Sequence, residues 1–199
     1  KEGRKLASSG LEDVKNVVAV LPGDVDNDGF IDICLVTRAG AALYFNKSGR
    51  FQRQQNGAFT GRFNNAVWLD YDHDYDIDLF LLGSRSLLMR NDGSGGFSDQ
   101  SVDFPFVEGQ ALTGVLIDLI ADTQGMDLVV LFADRAGVIY RDRLAGKYEA
   151  QPLEALGAGT TEVVTADFNN DGWTDLAAGN TSGINLLVND QRGGFRILP

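Results

Sequence analysis

The stretch Asp24-Val-Asp-Asn-Asp-Gly-Phe-Ile-Asp32 places an aspartate at alternate positions between two short apolar runs. The pattern recurs as Asp70-Tyr-Asp-His-Asp-Tyr-Asp-Ile-Asp78 and as Asp167-Phe-Asn-Asn-Asp-Gly-Trp-Thr-Asp175, with a degraded copy at 118–127. The first aspartates of the four copies are 46, 48 and 49 residues apart along the chain. A fixed period of this size is typical of a repeat architecture, so the chain is predicted to contain four similar units.

Each unit contains short apolar runs whose composition is typical of β-strands. The runs before the acidic loops are 17–21, 65–69, 113–117 and 163–166, and those after them are 31–36, 79–82, 128–132 and 176–178. A third set follows at 42–45, 87–90, 138–141 and 186–188, and each of these runs leads through a polar turn to an aromatic residue. The many glycines favour tight turns between short strands. Four antiparallel strands, A to D, repeated at this period predict an all-β fold, a β-propeller with four blades.

The predicted domain organisation is a single propeller domain or segment over 1–199. The repeats are expected at about 14–57, 58–108, 109–155 and 156–199. Residues 1–13 align with the outer strand of a blade, so they are expected to be the outer strand of a preceding blade and its connection. Two arrangements remain open, a segment of a larger propeller and a small four-bladed ring.

The acidic loops predict calcium sites, because calcium takes six to eight oxygen ligands in flexible geometry. In such a loop the side chains at positions 1, 3, 5 and 9 and the carbonyl at position 7 can converge on one ion. The ligands predicted in the first loop are Asp24, Asp26, Asp28, Asp32 and the carbonyl of Phe30. In the second they are Asp70, Asp72, Asp74, Asp78 and the carbonyl of Asp76, and in the last Asp167, Asn169, Asp171, Asp175 and the carbonyl of Trp173.

Two loops depart from this pattern. Tyr75 replaces the glycine of the turn, and a non-glycine residue in a left-handed conformation costs about 1–2 kcal/mol, so weaker calcium binding is expected there. The third copy keeps only Asp118, Asp122 and Asp127 as carboxylates and has Ile120 at position 3. We therefore expect three calcium sites, with the loop from Asp118 to Asp127 empty and kept as a structural turn.

Composition argues against several functions. The formal net charge of -11 argues against nucleic-acid binding, because phosphate contacts require a basic face. No apolar run approaches the roughly 20 residues of a membrane-spanning helix, so membrane insertion is not expected. The single cysteine, Cys34, lies in an apolar run and is predicted to be a core residue.

The sequence carries no recognisable catalytic motif, so no enzymatic activity is expected. His73, the only histidine, is predicted to be a solvated loop residue rather than a base. Every acidic cluster is already explained by calcium, which leaves no spare acid–base pair. Phe30, Trp173 and the segment Phe104-Pro-Phe106 are the aromatic candidates for ligand contacts, although packing between neighbouring blades explains them better.

These loops, with the turns Asn-Asp-Gly-Ser-Gly-Gly-Phe97 and Asn-Asp-Gln-Arg-Gly-Gly-Phe195, resemble the FG-GAP or VCBS-type repeats of integrin α-subunit propellers and of many bacterial secreted proteins. The stretch 66–80 is similar to the group that includes cartilage acidic protein and its bacterial relatives. The resemblance implies a calcium-stabilised propeller that is extracellular, periplasmic or on the cell surface.

Within that resemblance, the expected function is a non-enzymatic scaffold or a protein or carbohydrate interaction module. Self-association through open blade edges is a further expectation. The alternative is an accessory propeller of a larger secreted enzyme.

Overall fold

The computed structural model describes residues 8–93, 96–120 and 125–198, with the backbone alone described at 56–58. These ranges contain sixteen β-strands in four sheets of four. No helix in this part of the chain has the length and apolar character needed to cross a membrane. The all-β prediction is therefore confirmed.

Each sheet is a meander whose strands follow chain order and pair antiparallel. The first sheet contains β1 (Val17–Gly23), β2 (Asp32–Thr37), β3 (Gly40–Lys47) and β4 (Arg50–Thr60), and the second β5 (Phe63–Leu69), β6 (Asp78–Gly83), β7 (Leu87–Asn91) and β8 (Phe97–Asp99). The third contains β9 (Ala111–Ile117), β10 (Asp127–Phe132), β11 (Gly137–Asp142) and β12 (Tyr148–Leu153). The fourth contains β13 (Glu162–Ala166), β14 (Asp175–Asn180), β15 (Gly183–Asn189) and β16 (Phe195–Leu198).

The meander determines where the functional loops lie. In every sheet the acidic loop joins the first strand to the second, and a glycine-bearing turn joins the third to the fourth. Because consecutive strands run in opposite directions, both connections lie at the same end of the sheet. The turns between second and third strands, and the connections between sheets, lie at the other end. The fourth strands vary most, since β4 extends to Thr60, past the predicted repeat end at 57, whereas β8 has three residues.

The apolar core of the described residues divides into three clusters, one between each pair of consecutive sheets. The second strands of the two middle sheets, β6 and β10, are buried along their whole length because each of these sheets lies between two neighbours. Cys34 is fully buried between the first two sheets, as predicted, and burial raises the pKa of its thiol to about 12.

No core cluster of the described residues joins the fourth sheet back to the first. Val20 on β1 is 56% exposed and Val164 on β13 is 57% exposed, because each side chain points away from the neighbouring sheet of the chain. The four sheets therefore form an open arc, and the alternative of a closed four-bladed ring does not describe this part of the chain.

The segment before β1 is described only from residue 8. Residues 1–7 lie outside the described residues, so an outer strand there stays a prediction. Over 8–13 the structure has turns rather than a strand, and the Ser9 carbonyl accepts a hydrogen bond from Phe51 N at 2.8 Å. This segment thus lies against the first sheet of its own chain, on β4.

Candidate metal centre

The first acidic loop is organised by hydrogen bonds from its own backbone to its first aspartate. Asp24 Oδ1 accepts from the N–H of Asp28 at 3.1 Å, and Asp24 Oδ2 accepts from the N–H of Gly29 at 3.0 Å. Asp28 Oδ1 in turn accepts from Phe30 N at 2.9 Å. These bonds curl the loop so that the remaining carboxylate oxygens face one another.

The second and fourth loops repeat this hydrogen-bond pattern. Asp70 accepts from the N–H groups of Asp74 and Tyr75, and Asp167 accepts from those of Asp171 and Gly172, all at 2.9–3.1 Å. The fifth-position aspartates also match, since Asp74 accepts from Asp76 N and Asp171 from Trp173 N, both at 3.0 Å. Three separate stretches of sequence therefore fold into one loop geometry.

Two residues in each loop take the left-handed conformation. The sixth position does so as predicted, with φ of 84° at Gly29, 74° at Tyr75 and 88° at Gly172. The fourth position does so as well, at Asn27, His73 and Asn170, with φ between 56° and 65°. Asparagine tolerates this region better than most residues, which is a sequence signal for the fourth position that we did not use.

The ninth-position aspartates are the first residues of the second strands, and Asp32, Asp78 and Asp175 are fully buried. One oxygen of Asp32 accepts from Val25 N at 3.0 Å, and the other accepts from Asn46 N on β3 at 2.7 Å. Asp78 and Asp175 make the equivalent pairs of bonds. Burial raises the pKa of Asp32, and it raises that of Asp78 to about 7. These aspartates therefore connect the loop to the third strand by hydrogen bonds, in addition to any role as calcium ligands.

The structure brings three of the predicted side-chain ligands together in each of the first two loops. Oxygens of Asp24, Asp26 and Asp28 lie within 4.8 Å of one another, and so do those of Asp70, Asp72 and Asp78. In each loop the third-position aspartate has one buried oxygen, Asp26 Oδ1 or Asp72 Oδ1, without a hydrogen-bond partner. An unpartnered buried carboxylate oxygen in a cluster of oxygen donors fits a hard cation such as calcium.

Each of these two clusters also contacts a basic side chain, which the sequence reading missed. Lys47 Nζ lies 3.0 Å from Asp26 Oδ2 and 2.8 Å from Asp28 Oδ2. Arg90 Nε lies 2.6 Å from Asp72 Oδ2, and its Nη2 lies 2.7 Å from Asp74 Oδ2. These carboxylates raise the pKa of both basic groups. The sequence signal for these contacts was a basic residue adjacent to an asparagine near the end of the third strand, as at Lys47 beside Asn46 and Arg90 beside Asn91.

In the degraded third loop, an arginine at the position equivalent to Arg90 pairs with the one surviving strand aspartate. Arg141 Nε lies 3.2 Å from Asp127 Oδ2, and both side chains are buried. Burial raises the pKa of Asp127. Residues 121–124, including Asp122, lie outside the described residues. The expectation that this loop holds no calcium stays a prediction.

The fourth loop differs in its contacts. Asn169 Nδ2 donates to Asp171 Oδ2 at 3.0 Å, and Gln191 Nε2 approaches the same oxygen at 3.4 Å. The equivalent of Arg90 is Val188, which is buried. Neutral amides thus occupy the places that Lys47 and Arg90 take in the first two loops.

The structure corrects the prediction for His73. Its Nε2 lies 2.8 Å from Oδ2 of Asp142, a buried residue at the end of β11 in the next sheet. The Tyr148 hydroxyl donates to the same oxygen at 3.3 Å. His73 is therefore a contact between two blades rather than a solvated loop residue, because the left-handed fourth position aims its side chain at the following sheet.

The aromatic candidates divide between packing and exposure. Phe104 is buried against Phe80, Tyr140 and Tyr148, with ring centroids 5.0–5.1 Å apart, so packing between blades explains it. Phe106 is half-buried beside the same cluster. Phe30 is exposed and Trp173 is half-buried at the metal loops.

Asparagines at the ends of the third strands link neighbouring blades through the acidic loops. Asn91 Nδ2 donates at 2.9 Å to the carbonyl of Val25, which is the second residue of the preceding loop. Asn189 Nδ2 donates at 2.9 Å to the carbonyl of Leu119, at the same position in the third loop. Sequence reading placed these asparagines in turns and did not find this role.

Four-stranded antiparallel sheets in an arc, with an acidic loop after each first strand, define a β-propeller architecture. Two family models match the chain, an FG-GAP-like repeat over residues 24–81 and an FG-GAP repeat over residues 158–195. The chain therefore contains FG-GAP-type repeats. No curated protein sequence matches the chain significantly.

Solved structures share the fold at low sequence identity. A lectin of Agrocybe aegerita, described as recognising non-reducing terminal N-acetylglucosamine, is 15% identical with a TM-score of 0.62. The match covers 91% of this chain and 51% of the lectin. The Vibrio cholerae biofilm matrix protein Bap1 is 15% identical with a TM-score of 0.51, over 90% of this chain and 30% of Bap1. The chain thus spans about half the length of the lectin.

Proposed function

We propose that this protein is a calcium-stabilised, non-enzymatic interaction module. The observation that carries the calcium part is the pair of buried, unpartnered oxygens Asp26 Oδ1 and Asp72 Oδ1. A buried charged oxygen is costly unless a cation or a donor compensates it. Each belongs to a cluster of oxygen ligands alone, which suits calcium better than magnesium because magnesium retains several waters in a strict octahedron.

Three loops are proposed to bind calcium. Asp24, Asp26, Asp28, Asp32 and the carbonyl of Phe30 would hold it in the first, with the equivalent residues in the second and the fourth. A bound ion neutralises the clustered carboxylates. The chain's own part is to position them, through backbone donors to Asp24, Asp70 and Asp167. The third loop is proposed to stay empty because it keeps fewer carboxylates and has Ile120 at position 3, and Arg141 pairs with its Asp127.

Thermal unfolding tests the calcium proposal directly. Calcium should raise the melting temperature above that in EGTA, since a ligand at about 100 times its Kd adds about 2.7 kcal/mol of stability per site. Magnesium at the same concentration should have a smaller effect. An identical melting temperature in calcium and in EGTA would remove the ion from the account.

Matched variants locate the effect. Asp26→Asn and Asp72→Asn each remove one carboxylate charge from a cluster, so each should reduce the calcium-induced rise in melting temperature. Asp13→Asn removes an exposed carboxylate outside the loops and should leave that rise unchanged. Equal effects from all three variants would mean that calcium acts through the overall charge.

The proposed location is extracellular, periplasmic or on the cell surface. Calcium sites of extracellular modules have Kd values of about 10⁻⁴–10⁻³ M, which match the calcium concentrations outside cells. The contacts of Lys47 and Arg90 with loop carboxylates favour weak sites of this kind. Isothermal titration would contradict this location if it gave Kd values near 10⁻⁸ M, a range typical of cytosolic calcium buffers.

The proposed ligand site is a groove at the end of the sheets opposite the acidic loops. It has a volume of about 570 Å³ and lies between the second and third blades. Its walls come from the turn 84–86, the connection 101–110 and Asp134. Arg85 and Gln110 supply exposed polar groups, and the ring of Phe106 supplies an apolar wall. Such a mixture suits a carbohydrate or a polar peptide.

A carbohydrate is the first ligand to test, because the lectin of similar fold is described as recognising N-acetylglucosamine. Binding to a glycan array should be lost in Phe106→Ala and Gln110→Ala. It should be kept in Arg50→Ala, which changes an exposed residue at the acidic-loop end of the first sheet. If the wild-type protein binds no glycan, or if the Arg50 variant fails equally, the groove is not a carbohydrate site.

A further inference from the structure

A second, smaller cleft lies beside the proposed ligand groove, at the same end of the sheets. It has a volume of about 200 Å³, and its walls are residues 60–63, Ser84, Arg85, Leu87 and Asp99. Ser84 and Arg85 also line the larger groove, so the turn 84–86 separates the two depressions and forms part of both. A typical ligand pocket has a volume of roughly 300–1,000 Å³, so the small cleft suits one group of a ligand rather than a whole ligand.

Two arginines line this cleft, Arg62 from the connection before β5 and Arg85 from the turn after β6. The antiparallel register pairs Phe63 with Gly83, which brings both arginines to the same end of two neighbouring strands. Gly83 permits this close approach, because a Cβ at that position would collide with the carbonyl oxygen of Arg62. The backbone therefore holds two exposed, positively charged side chains at one small cleft.

The cleft carries more positive than negative charge. Among the described residues, neither Arg62 nor Arg85 makes a salt bridge, in contrast to the arginines beside the acidic loops. Of the lining residues only Asp99 is acidic, and its Oδ1 accepts a hydrogen bond from Ser101 N at 2.9 Å. Hydrogen bonds from Ser101, with a smaller contribution from the charge of Arg85, lower the pKa of Asp99. Two arginines and one aspartate give the cleft a net charge of +1, on a chain whose net charge is -11.

The larger groove has the opposite balance of charge. Glu108 and Asp134 line it together with Arg85. The neighbouring Arg135 donates to the backbone carbonyl of Glu108 at 2.7 Å, and Asp134 Oδ1 accepts from Gln110 N at 2.9 Å. An anionic group of a bound molecule is therefore better placed in the small cleft than in the groove.

We propose that the small cleft is a subsite of the ligand groove in which Arg62 and Arg85 bind the carboxylate of a uronic acid. This inference rests on the proposed carbohydrate function and names the class of carbohydrate, a glycan that contains uronic acid. Arginine suits this role because its planar guanidinium donates two parallel N–H groups to the two oxygens of a carboxylate. The exposed Thr60 and Ser84 supply hydroxyl groups to the sugar ring, and the next sugar of the glycan lies in the larger groove.

A paired glycan array tests the class of ligand at a fixed calcium concentration. It carries tetramers of glucuronic and galacturonic acid, the same tetramers with each carboxyl group reduced to an alcohol, and sulfated and neutral glycans. The wild-type protein should bind a uronic acid tetramer at least about tenfold more tightly than its reduced form, as expected for lost charge-assisted hydrogen bonds. Equal binding of both forms, or a preference for neutral or sulfated glycans, would overturn this inference.

Matched arginine variants locate the carboxylate. Arg62→Gln and Arg85→Gln should each abolish the preference for the acidic tetramer, whereas Arg50→Gln removes the same charge at the acidic-loop end of the first sheet and should keep it. A preference that survives in both cleft variants would place the carboxylate elsewhere, for example on a calcium ion, and would overturn the proposal. Circular dichroism checks that each variant is folded. Where one is not, the lysine variant, which keeps the charge but loses the paired donors, takes its place and should weaken the preference.

The outcomes separate this inference from the proposed function. Binding of neutral glycans alone, lost in Phe106→Ala, would leave the carbohydrate groove in place and overturn only the uronic acid subsite. Binding of uronic acid tetramers that Phe106→Ala does not change would keep the subsite and remove the larger groove, and a protein that binds no glycan would overturn both. A tetraglutamate peptide is the control for charge alone. If it binds as tightly as the uronic acid tetramers, the cleft recognises any anion and the sugar assignment is overturned.

Discussion

Within each acidic loop, the aspartates divide by what their oxygens accept. In the first loop, Asp24 and Asp32 accept backbone N–H groups through both oxygens, whereas Asp26 pairs with Lys47 through one oxygen and leaves the other buried and unpartnered. The aspartates at the first and ninth positions therefore hold the loop's conformation. The aspartate at the third position has a buried oxygen that a bound cation would compensate. Sequence reading treated all five ligands as equivalent, because spacing alone carries no information on backbone donors.

Tyr75 is predicted to cost stability, since it holds a left-handed φ of 74° where the first and fourth loops have glycine. Tyr75→Gly should stabilise the protein by up to about 1 kcal/mol, because relief of the backbone strain exceeds the added entropy of the unfolded chain. Urea unfolding in EGTA measures the change.

The control for Tyr75 is Val102→Gly, at an exposed residue without a positive φ. This variant should lose roughly 0.5–1 kcal/mol, because glycine there adds only unfolded-state entropy. Equal losses from both variants would show that Tyr75 is not strained.

Arg90 is predicted to compete with calcium in the second loop, because its guanidinium contacts both Asp72 and Asp74. Arg90→Gln should lower the stability of the calcium-free protein by about 1 kcal/mol, in line with partly exposed ion pairs. The same variant should bind calcium more tightly at that loop, which isothermal titration measures. Arg50→Gln, an exposed control, should change neither quantity, and weaker calcium binding by Arg90→Gln would show that the arginine assists the site.

At the scale of the strands, the ends of the third strands do more than begin a turn. Asn91, Asp142 and Asn189 each contact the acidic loop of the preceding blade, the first and last through carbonyls and Asp142 through His73. The strands themselves were predicted within a few residues, because alternating and continuous apolar runs report burial directly. The contacts between blades were not predicted, since they join residues about 70 positions apart in the sequence.

Asn189→Ala should destabilise the protein more than Asn46→Ala. Asn189 is buried and donates to Leu119 and Thr174, whereas Asn46 donates to Ile31. The difference should be about 1–2 kcal/mol, as expected for one additional buried hydrogen bond and the acceptor it leaves unpaired. Thermal unfolding at a concentration where the protein is monomeric measures it. Indistinguishable losses would mean that the bond between blades contributes little.

At the scale of the whole molecule, stability comes from three cores between sheets rather than from one central core. The cluster between the second and third sheets is the most aromatic, with Phe104 from their connection packed on Phe80, Tyr140 and Tyr148. Because every sheet shares a core with its neighbour, unfolding should be a single cooperative transition.

Phe104→Ala is predicted to cost about 3–5 kcal/mol, the range for a buried phenylalanine whose removal leaves a cavity. Phe30→Ala, at an exposed aromatic, should change stability by less than about 0.5 kcal/mol. Chemical unfolding followed by fluorescence and by circular dichroism measures both. Two separate transitions in the wild-type protein would contradict cooperative coupling through the three cores.

The sequence by itself determined the repeat, its four strands, the acidic loops and the left-handed turn within them, because these depend on residues a few positions apart. Only the tertiary structure decided which carboxylate oxygens stay unpartnered, which basic side chains enter the loops, and that His73 belongs to a contact between blades. It also showed that the first and last sheets expose apolar faces. Those properties depend on distances between residues far apart in the chain, and the period of a repeat does not contain them.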